Sequence, residues 1–178
     1  MAVRDVLLDT NAYVAFKRGT PDAVDVLRHA PRIGMSSIVL GEVLSSFAVG
    51  TREAENRQEL EQFLASERVH QLVVDVATAA HYAVVYRELR RRGRPIPTND
   101  MWIAATALQH GFAVFSYDGH FPEVPGLHVG HTVGRFSVLR GKTASRMPTS
   151  DEDEDEPAWR DRKLCENGAV EFFGQTGS

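Results

Sequence analysis

The sequence predicts an α/β fold, a three-layer α/β/α arrangement around a mainly parallel sheet of four to five strands. Short, mainly apolar runs alternate along the chain with longer stretches in which apolar residues recur at helical spacing. Each helical stretch lies between two successive strand segments, which is the pattern of parallel strands joined by crossover helices. We therefore expect helices to cover both faces of the sheet.

Five short segments are the predicted strands, because each is mainly apolar and ends at polar or turn-forming residues. They are VRDVLL at 3–8, RIGM at 32–35, HQLVVDV at 70–76, AVFSYD at 113–118 and LHVG at 127–130. A sixth segment, GRFSVL at 134–139, is predicted to add a small edge element.

Six helices are predicted from apolar residues at helical spacing and from residues that favour helix ends. They span 10–18, 21–30, 36–50, 51–67, 76–92 and 100–111. The expected N-caps are Ser36 or Ser37 for the third helix, Thr51 for the fourth, and Thr98 or Asn99 for the sixth. Cations followed by glycine indicate the C-terminal ends of the first and fifth helices.

Charge is distributed unevenly along the chain. Residues 151–178 hold nine of the 24 acidic side chains and three of the 20 basic ones, so the net charge of −4 conceals a slightly basic body. We expect one domain over 1–140 and a disordered acidic tail over 141–178, because the composition of the tail is too polar to form a core. A slightly basic body is weak evidence for nucleic-acid binding.

The sequence argues against several classes of protein. No apolar run approaches the roughly 20 residues of a membrane helix, and the pattern of a secretory signal peptide is missing. The single cysteine, Cys165, cannot form an internal disulfide or a cysteine-based zinc site. Neither a P-loop nor a G-x-G-x-x-G motif supports nucleotide binding. We therefore expect a cytoplasmic protein with no membrane segment.

Four acidic residues from distant parts of the chain are predicted to meet at one edge of the sheet. Asp9 follows the first predicted strand, and Asp118 lies at the end of the fourth. Asp100 is in the first turn of the helix that leads to that fourth strand. Glu42 lies within a very apolar helix, so its carboxylate is expected to point inward. Because the carboxyl ends of parallel strands form the ligand-binding edge of such sheets, the four acids should surround one crevice.

Each acid also has a simpler interpretation. Asp9 alone is typical of a helix N-cap, Asp100 of a first-turn acid stabilised by the helix dipole, and Asp118 of a turn before glycine. Glu42 is harder to explain this way, because a charge in an apolar helix is costly to bury without a partner. The prediction of a site therefore depends on the four acids together.

Clustered carboxylates favour a bound cation. They repel one another unless protons or cations neutralise them. Oxygen ligands with no cysteine and no obvious histidine pair select a hard cation, Mg²⁺ or Mn²⁺, while the seven histidines are scattered and are expected at the surface or in packing. Such a cation suits phosphodiester hydrolysis, because it can activate water and stabilise charge on a phosphate. The predicted catalytic and metal-binding residues are Asp9, Glu42, Asp100 and Asp118.

Four motifs resemble those of one known family. The segments LLDTNAY, SSIVLGEVL, PTNDMWIAATALQHG and VFSYDGHFPEVPGL contain the four acids in order. Together they are similar to the motifs of PIN-domain nucleases, and within them of the VapC-type toxins of toxin–antitoxin pairs. The resemblance covers about residues 3–133, and it departs from the family pattern in the tail beyond about residue 140.

The resemblance implies a function and further site residues. It places polar groups that orient the acids or the water at Thr10, Asn11, Asn99 and Ser116, with Asp9 and Asp100 as the first choices for direct metal ligands. It implies an endoribonuclease that requires Mg²⁺ or Mn²⁺ and acts on tRNA or other structured RNA. It also implies a homodimer and an antitoxin protein that covers the site.

A basic run near Asp100 is the predicted RNA contact. Arg90, Arg91, Arg92 and Arg94 could hold RNA phosphates. The alternative is a solvated helix C-terminus, which favours cations for electrostatic reasons alone.

Two other functions remain open from the sequence. One is a non-catalytic RNA-binding or regulatory PIN-like module that keeps the acids for structure. The other is a receiver-like α/β domain, which also uses acids at strand ends. The receiver-like domain is disfavoured, because no lysine follows the last strands, where such a site requires one.

Overall fold

A five-stranded parallel sheet forms the centre of the protein. The computed structural model describes residues 2–138, so the predicted tail at 141–178 and Cys165 lie outside the described residues. In chain order, the strands are Ala2–Val3 (β1), Val6–Leu8 (β2), Ile33–Ser36 (β3), Val69–Leu72 (β4), Ala113–Phe115 (β5), Val129–Gly130 (β6) and Ser137–Val138 (β7). The main sheet has the order β4-β3-β2-β5-β6, and every neighbouring pair in it is parallel.

Helices connect the strands of this sheet. They are Thr10–Lys17 (α1), Pro21–His29 (α2), Ser37–Ala48 (α3), Glu53–Leu64 (α4), Val76–Arg92 (α5), Thr98–His110 (α6) and the short Val133–Phe136 (α7), with a 3-10 turn at Phe121–Glu123. Every residue of β2, β3 and β5 is buried, so the centre of the sheet is covered on both faces. The predicted three-layer α/β/α fold is confirmed.

The first predicted strand is wrong in its extent. Residues 3–8 form two separate elements, because the chain leaves the sheet at Arg4 and Asp5. The earlier element, β1, pairs antiparallel with β7 in a small two-stranded ribbon. The second part of the predicted GRFSVL edge element therefore exists, but it joins this ribbon rather than the main sheet, and its first part belongs to α7.

The other strand predictions differ from the structure mainly in length. The segment predicted at 70–76 ends as a strand at Leu72, and the segment predicted at 113–118 ends at Phe115. After Leu72 the residues Val73 and Val74 lie outside the strand and Asp75 caps α5, while Ser116, Tyr117 and Asp118 follow β5 as a loop.

Two of the predicted helix caps are wrong. The fourth helix begins after Arg52 rather than at a Thr51 cap, and the sixth begins after Pro97, so that Thr98 and Asn99 lie in its first turn. Ser36 is the cap of the third helix, since its hydroxyl accepts a hydrogen bond from the Val39 amide at 3.3 Å. Pro97 suits the sixth helix start because proline fixes φ near the value that an entering chain needs.

The order of the strands determines where a ligand would bind. From β2 the chain moves to β3 and β4 on one side, and it then crosses to β5 and β6 on the other side. The connections that leave the carboxyl ends of the neighbouring strands β2 and β5 therefore run to opposite sides of the sheet. A crevice opens between them at this edge. Asp9 directly follows β2, and Ser116 directly follows β5.

Within the described residues, none of the helices combines the length and the apolar character that crossing a membrane requires.

Gly34 provides a test of the sheet packing. A Cβ atom at this position in β3 would lie 3.0 Å from Leu72 Cδ1 and 3.2 Å from Phe112 Cε1. We expect Gly34→Val to lower the free energy of unfolding by about 1–3 kcal/mol, because the extra atoms overpack the core.

The control is Gly41→Ala in α3, where a Cβ meets nothing within 4 Å. It should raise stability by about 0.5–1 kcal/mol. Urea unfolding measures the free energy of unfolding of each variant. Equal effects of the two substitutions would contradict the close packing of Gly34 against Leu72 and Phe112.

Candidate active site

The four predicted acids line one cleft at the carboxyl edge of the sheet. The cleft has a volume of about 500 Å³, and Thr10, Asn11 and Arg18 also line it. The acids are Asp9, Glu42, Asp100 and Asp118. The structure therefore brings together residues that are separated by up to about 110 positions in the sequence.

Asp9 is both a helix cap and a cleft residue. It is 6% exposed, its Oδ1 accepts a hydrogen bond from the Thr10 amide at 2.8 Å, and its Oδ2 accepts one from the Ser116 hydroxyl at 2.8 Å. Burial raises the pKa of this carboxyl, and the negative charges of Asp100 and Glu42 raise it further. The capping interpretation and the site interpretation are therefore compatible.

Glu42 contacts two of the predicted polar residues. The Thr10 hydroxyl donates to Glu42 Oε2, and the Asn99 amide donates to Oε1 at 2.6 Å. The side chain lies half-buried in the cleft rather than in the core, so the expectation of an inward direction is corrected in this respect. Polar donors, rather than a basic side chain, are the partners of this carboxylate.

Asn11 and Ser116 connect the beginning of α1 to the end of β5. The Asn11 amide donates to Ser116 Oγ at 3.2 Å, and Asn11 Oδ1 accepts from the Tyr117 amide at 3.1 Å. Ser116 Oγ also accepts from the Asp118 amide at 2.9 Å. Since Ser116 in turn donates to Asp9, these bonds hold the two strand ends in a fixed relation.

Asp100 and Asp118 share a third residue, His120. His120 Nδ1 lies 2.9 Å from Asp100 Oδ2 and 3.0 Å from Asp118 Oδ1. Burial raises the pKa of Asp100, and the charge of Asp118 raises it as well, while the hydrogen bond from His120 opposes both. The sequence interpretation missed His120, although its position two residues after Asp118 was a usable signal.

The predicted RNA-binding arginines lie elsewhere. Among the residues that line the cleft, Arg18 is present, whereas Arg90, Arg91, Arg92 and Arg94 are not. Arg91 pairs with Glu88 at 2.8 Å, Arg94 approaches Glu123 at 3.4 Å, and Arg90 lies over the Tyr86 ring. These contacts fit the alternative of a charged helix C-terminus.

The chemistry of the cleft fits a divalent cation. Within residues 2–138, neither lysine nor arginine forms an ion pair with any of the four acids. Burial, and to a lesser extent the neighbouring acids, raise the pKa values of Asp9 and Asp100, so the charged form of each carboxylate is destabilised in the cleft without a cation. Several carboxylate oxygens that face one open cleft are the donor set that Mg²⁺ and Mn²⁺ prefer.

The sequence also matches a known family model, that of the PIN domain, over residues 6–127. The chain belongs to the PIN-domain family. The family prediction made from the four motifs is thereby confirmed.

Known relatives of this PIN domain are VapC proteins. The chain is 31% identical over 132 residues to Ribonuclease VapC4 of Mycobacterium tuberculosis, a match that covers 72% of this chain and 98% of the relative. It resembles DNA-bound VapBC from Salmonella typhimurium with a TM-score of 0.64 and 26% identity, over 73% of this chain and 98% of that one. It also resembles VapBC-1 from nontypeable Haemophilus influenzae with a TM-score of 0.61 and 26% identity, over 70% of this chain and 96% of that one.

The buried charge of Asp9 predicts a dependence of stability on pH. Because the folded state raises this pKa, ionisation of Asp9 destabilises the folded chain, and its stability should fall as the pH rises through the raised pKa. Without divalent cations, Asp9→Asn should therefore have a higher melting temperature than the unaltered protein at pH 7. The difference in melting temperature between this variant and the unaltered protein should become smaller as the pH falls through the raised pKa of Asp9.

Thermal unfolding in the presence of a chelator measures this effect. Asp25→Asn is a suitable control, because Asp25 is an exposed acid of α2 outside the cleft. It should change stability by less than about 0.5 kcal/mol. An Asp9→Asn variant that is less stable than the unaltered protein at every pH would contradict the assignment of uncompensated charge to the cleft.

Proposed function

We propose that this PIN domain is an Mg²⁺- or Mn²⁺-dependent endoribonuclease and the toxin of a VapBC-type toxin–antitoxin pair. One observation carries the chemistry, namely the four acids that line a single cleft without a lysine or arginine partner. Membership of the PIN family and the likeness to Ribonuclease VapC4 support RNA as the substrate.

The four acids have separate roles in this proposal. Asp9 and Asp100 would hold the cation, with Glu42 and Asp118 as further acidic groups around it. The bound cation would activate water and stabilise charge on the phosphate. Thr10 and Asn99 hold the Glu42 carboxylate by hydrogen bonds, and Ser116 holds Asp9. Pre-organised ligands of this kind reduce the reorganisation that the reaction requires.

The RNA would enter along a cleft in which, among residues 2–138, a single arginine and no lysine contributes to the lining. Arg18 is the guanidinium group that lines it, and Arg18 forms no ion pair with a described residue. A free guanidinium beside the acids suits a phosphate of the substrate. The resemblance to VapC-type toxins supports tRNA or another structured RNA as the proposed substrate class.

The proposed partners are an antitoxin protein and a second copy of this chain. Structural neighbours of the chain are VapBC complexes, which supports the antitoxin. For the homodimer, the support is limited to exposed apolar side chains on α5, namely Val76 at 88% exposure and Val84 at 51%. We propose the cytoplasm as the place of this activity, because RNA such as tRNA is present there.

Cleavage of RNA tests the proposed function. We expect the full chain to cleave RNA with Mg²⁺ or Mn²⁺ and to lose activity when the metal is chelated. Asp9→Asn and Asp100→Asn should each reduce the rate by about 100-fold or more, because they weaken the cation site while keeping the fold. Gel analysis of tRNA fragments measures the rate, and circular dichroism checks the fold.

The control for this experiment is again Asp25→Asn, which should cleave RNA at the unaltered rate. Metal-dependent cleavage that survives both cleft substitutions would refute the proposal. RNA binding that requires metal but produces no fragments from any RNA would instead favour a non-catalytic RNA-binding module.

Substitution of single arginines tests the path of the RNA. Arg18→Ala should weaken RNA binding and reduce the salt dependence of the affinity by about one counterion, because one phosphate contact is lost. Arg57→Ala is the matched control, since Arg57 pairs with Glu53 on the surface of α4. Filter binding at several salt concentrations measures both. A larger effect of Arg91→Ala than of Arg18→Ala would favour the basic run at 90–94 as the RNA contact instead.

A further inference from the structure

His120 is the one basic side chain that contacts the acids of the cleft in the described part of the chain. Its Nδ1 lies 2.9 Å from Asp100 Oδ2 and 3.0 Å from Asp118 Oδ1. The three ligand atoms together form a group compact enough to surround a single ion. The predicted cation site, which consists of the oxygen atoms of four acids, does not include this imidazole.

A single linear hydrogen bond does not account for both of these contacts. An imidazole Nδ1 carries at most one hydrogen, whether the ring is neutral or protonated. It can therefore donate one well-aligned hydrogen bond, and without a metal the second contact is a branch of a bifurcated bond or the attraction of a protonated ring. A cation bound by all three groups would replace both contacts with direct bonds to the ion.

The separations also fit the geometry of a metal site. Mg²⁺ and similar ions hold their ligands at about 2.1 Å in an octahedral arrangement, so neighbouring ligand atoms are about 3.0 Å apart. The two distances from His120 Nδ1 to the carboxylate oxygens, 2.9 Å and 3.0 Å, match this spacing. Little movement of the side chains would be needed to hold a cation.

The backbone around His120 positions the ring. The His120 amide donates to Asp118 Oδ1 at 3.1 Å, and the next residue, Phe121, is fully buried. The ring itself is about half exposed, so a cation and its waters can reach it from the solvent. The turn after Asp118 is therefore anchored on one side and open on the other.

We propose that His120 Nδ1, beside Asp100 and Asp118, is a further direct ligand of the cation that the acids of the cleft hold, and that this ligand favours Mn²⁺ over Mg²⁺. The inference rests on the metal-dependent function proposed above. Mg²⁺ keeps its oxygen ligands and waters more strictly than Mn²⁺ does, so replacing an oxygen ligand by an imidazole nitrogen weakens Mg²⁺ binding more than Mn²⁺ binding. An imidazole in the ligand set thus shifts the preference of the site.

Pulsed electron paramagnetic resonance of Mn²⁺ bound to the full chain tests this ligand directly. A coordinated imidazole gives a ¹⁴N modulation of the Mn²⁺ spin echo, which a ring held only by hydrogen bonds to the carboxylates does not give. We expect the ¹⁴N signal in the unaltered protein and its loss in His120→Gln. Competition titrations should show that the preference for Mn²⁺ over Mg²⁺ falls about tenfold in that variant.

His131→Gln is the matched control. His131 packs beside Tyr117 with ring centroids 5.6 Å apart, close to the site but outside the acidic group. It should keep both the ¹⁴N signal and the metal preference.

The outcomes separate this inference from the proposed function. Bound Mn²⁺ without a ¹⁴N signal would overturn the inference, even if RNA cleavage still depended on Asp9 and Asp100. A ¹⁴N signal that disappears in His120→Gln would support it, even if the chain cleaved no RNA. Failure of the full chain to bind Mn²⁺ would overturn the inference, and failure to bind either Mn²⁺ or Mg²⁺ would overturn both proposals.

Discussion

The buried carboxylate of Asp9 connects the parts of the protein on which the site depends. It caps α1 through the Thr10 amide, and it accepts a hydrogen bond from Ser116 at the end of β5. Its position after β2 places a negative charge where the sheet changes its winding direction. The end of β2, the beginning of α1 and the cleft therefore all involve the desolvated carboxylate of Asp9.

The desolvated acids of the cleft lower the stability of the folded chain when no cation is bound. Burial raises the pKa values of Asp9 and Asp100, so ionisation of either carboxyl opposes folding in the absence of a counterion. A bound cation would reverse this penalty, because it favours the charged form of each ligand. Polar neighbours such as Thr10 and Asn99 fix the geometry of the acids but supply no positive charge.

The sequence was sufficient for the fold class and for the convergence of the four acids, because buried parallel strands and the residues after them follow simple patterns. The order of the strands was not predictable, since it depends on long-range packing. The first strand was predicted too long because Arg4 and Asp5 were included in one strand with the apolar residues on either side. In the structure these two residues separate β1 from β2. His120 was missed because its role depends on a turn that brings it to Asp100, 20 residues earlier in the chain.

The central claim is that the cleft acids share one cation, and the dependence of stability on Mn²⁺ concentration tests it most directly. The free energy of unfolding at pH 7 should rise with Mn²⁺, by about 2.7 kcal/mol at a concentration 100 times the dissociation constant. Glu53→Gln, on the surface of α4, should behave in the same way as the unaltered protein, and Asp100→Asn should respond far less. A free energy of unfolding that is independent of Mn²⁺ in the unaltered protein would contradict the account.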